Sequence, residues 1–144
     1  MAIYAEQEQW DLLAAVAQET LQIVPGEKNA LQYLEMSKNR KGSLQTLEEQ
    51  TRSNPSPEGY LSLSLEYYNR GDYKKCIEAC EEALKINPSY AEAYNNICSA
   101  YNAMKMWDEG IKACEKALEL MPEFERARNN LNYAKTEKAK VSVQ

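Results

Sequence analysis

Apolar side chains recur along this chain at helical rather than strand spacing. Tyr60, Leu63, Ser64 and Tyr67 fall at i, i+3, i+4 and i+7, a stripe of apolar and small residues on one helix face. Gly71-Asp72 then breaks the pattern. A second stripe follows with Tyr73, Cys76, Ile77, Cys80, Ala83 and Leu84, and Pro88 blocks its continuation. The prediction is two antiparallel helices. Small residues such as Ser64, Cys76 and Ala83 let the two approach closely, and the larger ones between them hold the register.

The same pattern returns 34 residues later. Tyr60 is matched by Tyr94, Leu63 by Ile97, Tyr67 by Tyr101, Tyr73 by Trp107, Cys80 by Cys114, Ala83 by Ala117 and Pro88 by Pro122. "CEEALKINP" at 80–88 is nearly repeated as "CEKALELMP" at 114–122. A fixed internal period of this length is the mark of a repeat array, in which each unit buries its apolar face against the next.

The carrying residues are Tyr60-x2-Leu63-Ser64-x2-Tyr67 with Cys76-x3-Cys80, Ala83 and Pro88, and then Tyr94-x2-Ile97-Cys98-x2-Tyr101 with Gly110-x3-Cys114, Ala117 and Pro122. They resemble the tetratricopeptide repeat. Tyr stands where that family has Trp, and Ser or Cys where it has a small Gly. The resemblance implies an all-α fold of tandem antiparallel helix pairs, stacked as a right-handed superhelix with a C-terminal capping helix. The repeats would be 57–90 and 91–124. Residues 125–144 continue the offset as a single helix, with Arg126 on Glu92, Asn130 on Asn96 and Leu131 on Ile97; they read as a polar-faced cap and a tail that frays from about Thr136.

The N-terminal third is less regular. "WDLLAAVAQETLQIVP" (10–25) overlays "WDEGIKACEKALELMP" (107–122), and Tyr4 then falls where Tyr101 falls, so 1–25 reads as a partial repeat, mostly its second helix. Residues 26–56 read as a shortened, degenerate repeat or a linker hairpin, with a helix over 28–38, a break at Gly42 and a short helix over 43–50.

In this family the first helix of each pair lines a concave groove. At ~100° per residue, Asn96 lies opposite the core stripe of its helix, and Asn95, Ser99 and Asn102 lie on the same flank. An amide side chain both donates and accepts, so it can grip a peptide backbone whatever the peptide's sequence. Asn96 and Asn130, one repeat apart, make two rungs of an asparagine ladder of the kind some family members use, and Ser62 is a weaker third. Tyr68, Asn69, Asn95, Ser99, Asn102, Arg126, Asn129 and Tyr133 complete the expected surround. The competing reading is structural: the asparagines bond neighbouring helices. The family's carboxylate clamp for chaperone C-termini needs Lys and Asn where this chain has Leu61 and Leu65, while Asn96 and Arg126 fit its later parts.

Composition narrows the function further. Lys plus Arg number 17 against 22 Asp plus Glu among 144 residues, a net charge of -5, which repels phosphate backbones and argues against a nucleic-acid partner. There is no histidine, so the commonest general base and zinc ligand is missing. No apolar run approaches a membrane span of ~18 residues. Acidic neighbours such as Glu48-Glu49 diverge on a helix, and no phosphate loop or nucleophile elbow occurs. The expectation is a non-enzyme without metal or cofactor.

Cys76, Cys80, Cys98 and Cys114 occupy small-residue slots and read as buried free thiols in a reducing cytosol. A disulfide between adjacent helices, such as Cys80 with Cys98, is the alternative in an oxidising compartment.

The expected function is a protein or peptide scaffold. Two alternatives remain. "SPEGYLSLSLEYYNRGDYKKCIEACEEAL" with "AYNNICSAYN" is loosely similar to the repeat tails of some bacterial membrane glycosyltransferases, which implies an accessory tail of a larger enzyme, located in the cytoplasm or at a membrane face. Trp10, Leu12 and Leu13 form an apolar edge that would support a homo-oligomer.

Overall fold

The computed structural model describes the backbone of residues 2–142 and the side chains of residues 10–142. Among the described residues there are seven helices and no strand: α1 Ala2–Ile23, α2 Lys28–Ser53, α3 Pro57–Asn69, α4 Tyr73–Ile86, α5 Ala91–Ala103, α6 Trp107–Leu120 and α7 Glu125–Val141. Helices α3 and α4 form one antiparallel hairpin and α5 and α6 a second; α4 packs on α5, α6 on α7, and α3, α5 and α7 lie side by side. No helix among the described residues is long and apolar enough to cross a membrane.

The core runs through the two hairpins. Ser64, Cys76, Cys80, Ala83, Cys98, Cys114 and Ala117 are fully buried, and Leu63, Tyr67, Tyr73, Ile77 and Ile97 fill the space between them. Tyr67 donates its hydroxyl to Glu48 of α2. Burial, and then that hydrogen bond, push its phenol pKa well above the usual value. The Cys76 thiol is also pushed up, by its hydrogen bond with Cys80 and by burial.

Three expectations fail. The break at Gly42 does not occur: α2 is one helix through Lys28–Ser53. A glycine inside a helix costs about 0.5–1 kcal/mol, and contacts around residue 40 hold the helix through it. Arg40 lies over the Trp10 ring, 5.6 Å from its centroid, Lys41 pairs with Asp11 at 2.9 Å, and the Arg40 carbonyl accepts from the buried Arg70, the C-cap of α3. Second, α1 is continuous from Ala2, so no turn precedes Trp10 as one precedes Trp107; the side chain of Tyr4, aligned with Tyr101, lies outside the described residues. Third, α7 runs to Val141 instead of fraying near Thr136, with Lys135 paired to Glu115 and Lys138 to Asp108 across to α6; residues 143–144 lie outside the described residues.

The cysteines also differ from the expectation of four free thiols. Cys98 and Cys114 form a disulfide between α5 and α6, while Cys76 and Cys80 are free and buried. The alternative pair, Cys80 with Cys98, is thus not the one joined.

The two hairpin turns share one geometry and differ in chemistry. Gly71 N–H donates to Tyr68 and Asp72 N–H to Tyr67; Lys105 N–H donates to Asn102 and Met106 N–H to Tyr101. This closure needs a left-handed residue after the helix. Gly71 supplies φ 78 without strain, whereas Lys105 adopts φ 59 with a full side chain. Asp72 caps α4 by accepting from Lys75 N–H at 3.2 Å, and Met106 offers α6 no side-chain cap.

Asn102 is buried beneath that second turn, 7% exposed. Its Nδ2 donates to the Asn130 carbonyl at 3.1 Å. Gly110 makes the room: a Cβ there would lie 2.2 Å from Asn102 Oδ1.

Three outcomes follow for equilibrium urea unfolding followed by circular dichroism. Lys105→Gly stabilises the chain by about 1 kcal/mol, by relieving the left-handed strain. Reducing Cys98–Cys114, which are 16 residues apart, removes about 3 kcal/mol by freeing the unfolded chain. Gly110→Ala costs about 1–3 kcal/mol through overpacking against Asn102, although the same change at an exposed helical site would stabilise by nearly 1.

Candidate functional site: the face formed by α3, α5 and α7

Helices α5 and α7 carry asparagines at equivalent positions one repeat apart, Asn95 with Asn129 and Asn96 with Asn130, where α3 has Leu61 and Ser62. Between the three helices lies a cavity of about 270 Å³, walled by Leu65 and Tyr68 of α3, Asn95, Asn96 and Ser99 of α5, and Arg126, Asn129 and Asn130 of α7. Each residue is there because it sits off the core stripe of its own helix, on the side that faces the next one.

Hydrogen bonds cross between the helices at each step. Asn96 Nδ2 donates to Ser64 Oγ at 3.1 Å, and Ser64 Oγ donates to the Leu61 carbonyl at 2.7 Å. Asn130 Nδ2 donates to Asn95 Oδ1 at 2.9 Å and to Ser99 Oγ at 3.0 Å, while Ser99 Oγ donates to the Asn95 carbonyl at 3.1 Å. The asparagines therefore join helix to helix, which is the structural role weighed against binding from the sequence.

Each amide is only half used. Asn96 and Asn130 engage their nitrogens and leave Oδ1 without a hydrogen bond among the described residues; Asn95 engages Oδ1 and leaves Nδ2. None of these three atoms is both sealed from solvent and unpartnered. Arg126 lies over the Phe124 ring, 5.5 Å from its centroid, and makes no ion pair among the described residues. The result is a pocket with acceptors, a donor and a cation above an apolar wall of Leu65 and Tyr68. Burial raises the Tyr68 phenol pKa first, with smaller contributions from Cys76 and Tyr133, so that ring is neutral at ordinary pH.

Seven of the residues expected around the groove line this pocket: Tyr68, Asn95, Asn96, Ser99, Arg126, Asn129 and Asn130. Three do not. Asn102 was placed on a free flank, but α7 covers that flank and buries it. Asn95 lines the pocket but is only 5% exposed, for the same reason. Tyr133 is exposed and packs edge-on against Trp107, with ring centroids 5.9 Å apart. Asn69 is exposed at the end of α3, away from the pocket.

A second opening, of about 540 Å³, lies between the C-terminal end of α2 and the first turns of α3. Sequence reasoning found only Ser62 of its wall. Gln50, Thr51 and Asn54 carry no repeat signal, because α2 does not follow the 34-residue register of the later helices. Among the described residues, no group of three or more His, Cys, Asp or Glu is placed to hold a metal ion.

The family model for the tetratricopeptide repeat matches residues 57–90 and 91–124. Several solved structures share the fold. The first such domain of Spaghetti (RPAP3), bound to HSP90 peptide SRMEEVD, is 22% identical with a TM-score of 0.65, over 88% of this chain and 93% of that one. The Sgt2 domain from Aspergillus fumigatus is 16% identical with a TM-score of 0.67, over 94% and 83%. The MamA protein is 22% identical with a TM-score of 0.64, over 94% and 77%. No curated protein sequence matches the chain. The 34-residue period, the two stacked hairpins and these likenesses agree: the chain carries two tandem tetratricopeptide repeats, 57–90 and 91–124, within an all-α fold similar to those superhelices.

Proposed function

We propose that this chain is a non-catalytic scaffold that holds an extended peptide along the face formed by α3, α5 and α7. The half-used amides carry this reading. Asn96 Oδ1 and Asn130 Oδ1 can accept from peptide N–H groups, and Asn95 Nδ2 can donate to a peptide carbonyl. A peptide backbone offers one donor and one acceptor per residue and satisfies both kinds. The amide nitrogens already fixed to neighbouring helices hold these groups in place, so little side-chain freedom is lost on binding.

Structural neighbours support a peptide ligand: besides the HSP90 complex, the second domain of human RPAP3 is seen with HSP70 peptide SGPTIEEVD and TPR2B of yeast Sti1 with an Hsp70 partner. Those partners include acidic tails. Here Leu61 and Leu65 stand where the chaperone clamp has Lys and Asn, and Leu65 is 53% exposed on the pocket wall. The site suits a segment with an apolar side chain against Leu65 and Tyr68 and an acidic group near Arg126.

A random twelve-residue peptide display selected on the immobilised chain tests this. The best peptide, labelled and followed by fluorescence anisotropy, binds wild type about threefold to tenfold tighter than either Asn96→Ala or Asn130→Ala, the effect of one hydrogen bond, with helicity unchanged. Selection of no peptide, or equal affinity in all three proteins, rules the reading out.

A further inference from the structure

The opening between α2 and α3 lies on the other flank of α3 from the Asn96 pocket. Gly59 and Ser62 face it, while Leu65 and Tyr68 face the first cavity. Ser62 occupies the position that Asn96 and Asn130 hold in the next two helices, so both openings belong to one continuous face.

Two features mark this opening as more than a gap. Thr51, in its wall, is 3% exposed, and its hydroxyl has no hydrogen-bond partner among the described residues. Thr20, Thr46 and Thr136 all donate to the carbonyl four residues back in their own helices. Thr51 does not; its hydroxyl lies toward α3, 3.7 Å from where a Cβ of Gly59 would be. Buried hydroxyls are normally satisfied. In the same wall Glu58 makes no ion pair among the described residues, and Gln50 and Asn54 add amide oxygens.

Charge along the face has a direction. Positions 58, 92 and 126 are equivalent first-turn sites of α3, α5 and α7, and they carry Glu, Glu and Arg. Tyr90 registers the acidic end: its phenol pKa is raised first by burial and then by Glu58 and Glu92 together. An ammonium group carries three donors and no acceptor. The Glu58 carboxylate, the Thr51 hydroxyl oxygen and an amide oxygen of Gln50 or Asn54 are acceptors that match it.

We propose that the α2–α3 opening is a subsite for a basic side chain, lysine or arginine, on the same peptide whose acidic end lies at Arg126. This rests on the peptide reading above and adds a charge order to it. Packed helices stand about 8–10 Å apart, so α3 and α7 are separated by about 20 Å, the reach of about six extended residues.

Three labelled ten-residue peptides test the proposal by fluorescence anisotropy at low salt: KKSATSAVDD, DDSATSAVDD and KKSATSAVKK. The first binds wild type at least fivefold tighter than the other two. Glu58→Lys makes DDSATSAVDD the preferred peptide. Thr51→Val, which removes only an unpartnered hydroxyl, weakens the two lysine-led peptides and leaves DDSATSAVDD unchanged, with the thermal midpoint as a check on folding. If KKSATSAVDD binds but neither variant alters the ranking, the subsite is refuted and the groove stands. If none of the three binds while display-selected peptides do, the charge order is refuted. If no peptide of either kind binds, the groove reading falls with it.

Discussion

Helices can lie close together only where the side chains between them are small, and the rest of this structure follows from that limit. Ser64, Cys76, Cys80, Ala83, Cys98, Cys114 and Ala117 have no exposed surface, and each lies where two helices meet. Close contact within the hairpins forces the larger residues to the edges of the seam and fixes each helix's rotation. The polar positions then fall side by side along α3, α5 and α7. The amide row is thus a consequence of core packing. A bulky residue in one of the small slots would rotate or separate the helices and break the Asn96–Ser64 and Asn130–Asn95 bonds together.

The two hairpins reach the same closeness by different means. The α3–α4 turn has Gly71 in the left-handed region and Asp72 as a cap, so its local chemistry already favours the bend. The α5–α6 turn has Lys105 and Met106 in those places and lacks both advantages. That hairpin carries the Cys98–Cys114 disulfide, and Asn102 is tucked under its turn against Gly110. A left-handed lysine and a missing cap together cost about 2 kcal/mol, comparable to what a cross-link over so short a loop contributes. Covalent closure therefore offsets weak turn chemistry in the second hairpin.

The fold of residues 57–124 was legible because every level of the sequence agreed on it: period, stripe, small slots, turn residues and helix-stopping prolines. The N-terminal third was not, because local and tertiary signals conflict there. Gly42 locally favours a break, but Trp10, Asp11 and Arg70 grip the helix beside it from both sides. The pocket was half legible. A helical wheel separates core from non-core faces, which found Asn96, Asn130 and Arg126. It does not show that a middle helix has neighbours on two flanks, and so Asn95 and Asn102 read as free when α7 buries them. The disulfide could not be chosen among four equally small slots without knowing which two face each other.

The two readings of the asparagines, binding or bracing, are not exclusive, because an amide has two ends. A serine in place of Asn130 could brace but would retain only one small hydroxyl for both tasks, and a leucine could do neither. Asparagine gives a nitrogen to the neighbouring helix and keeps an oxygen for whatever approaches, and the first bond orients the second group. The mediocre helix propensity of asparagine is then a modest cost, offset by bonds that run across the array instead of along each helix.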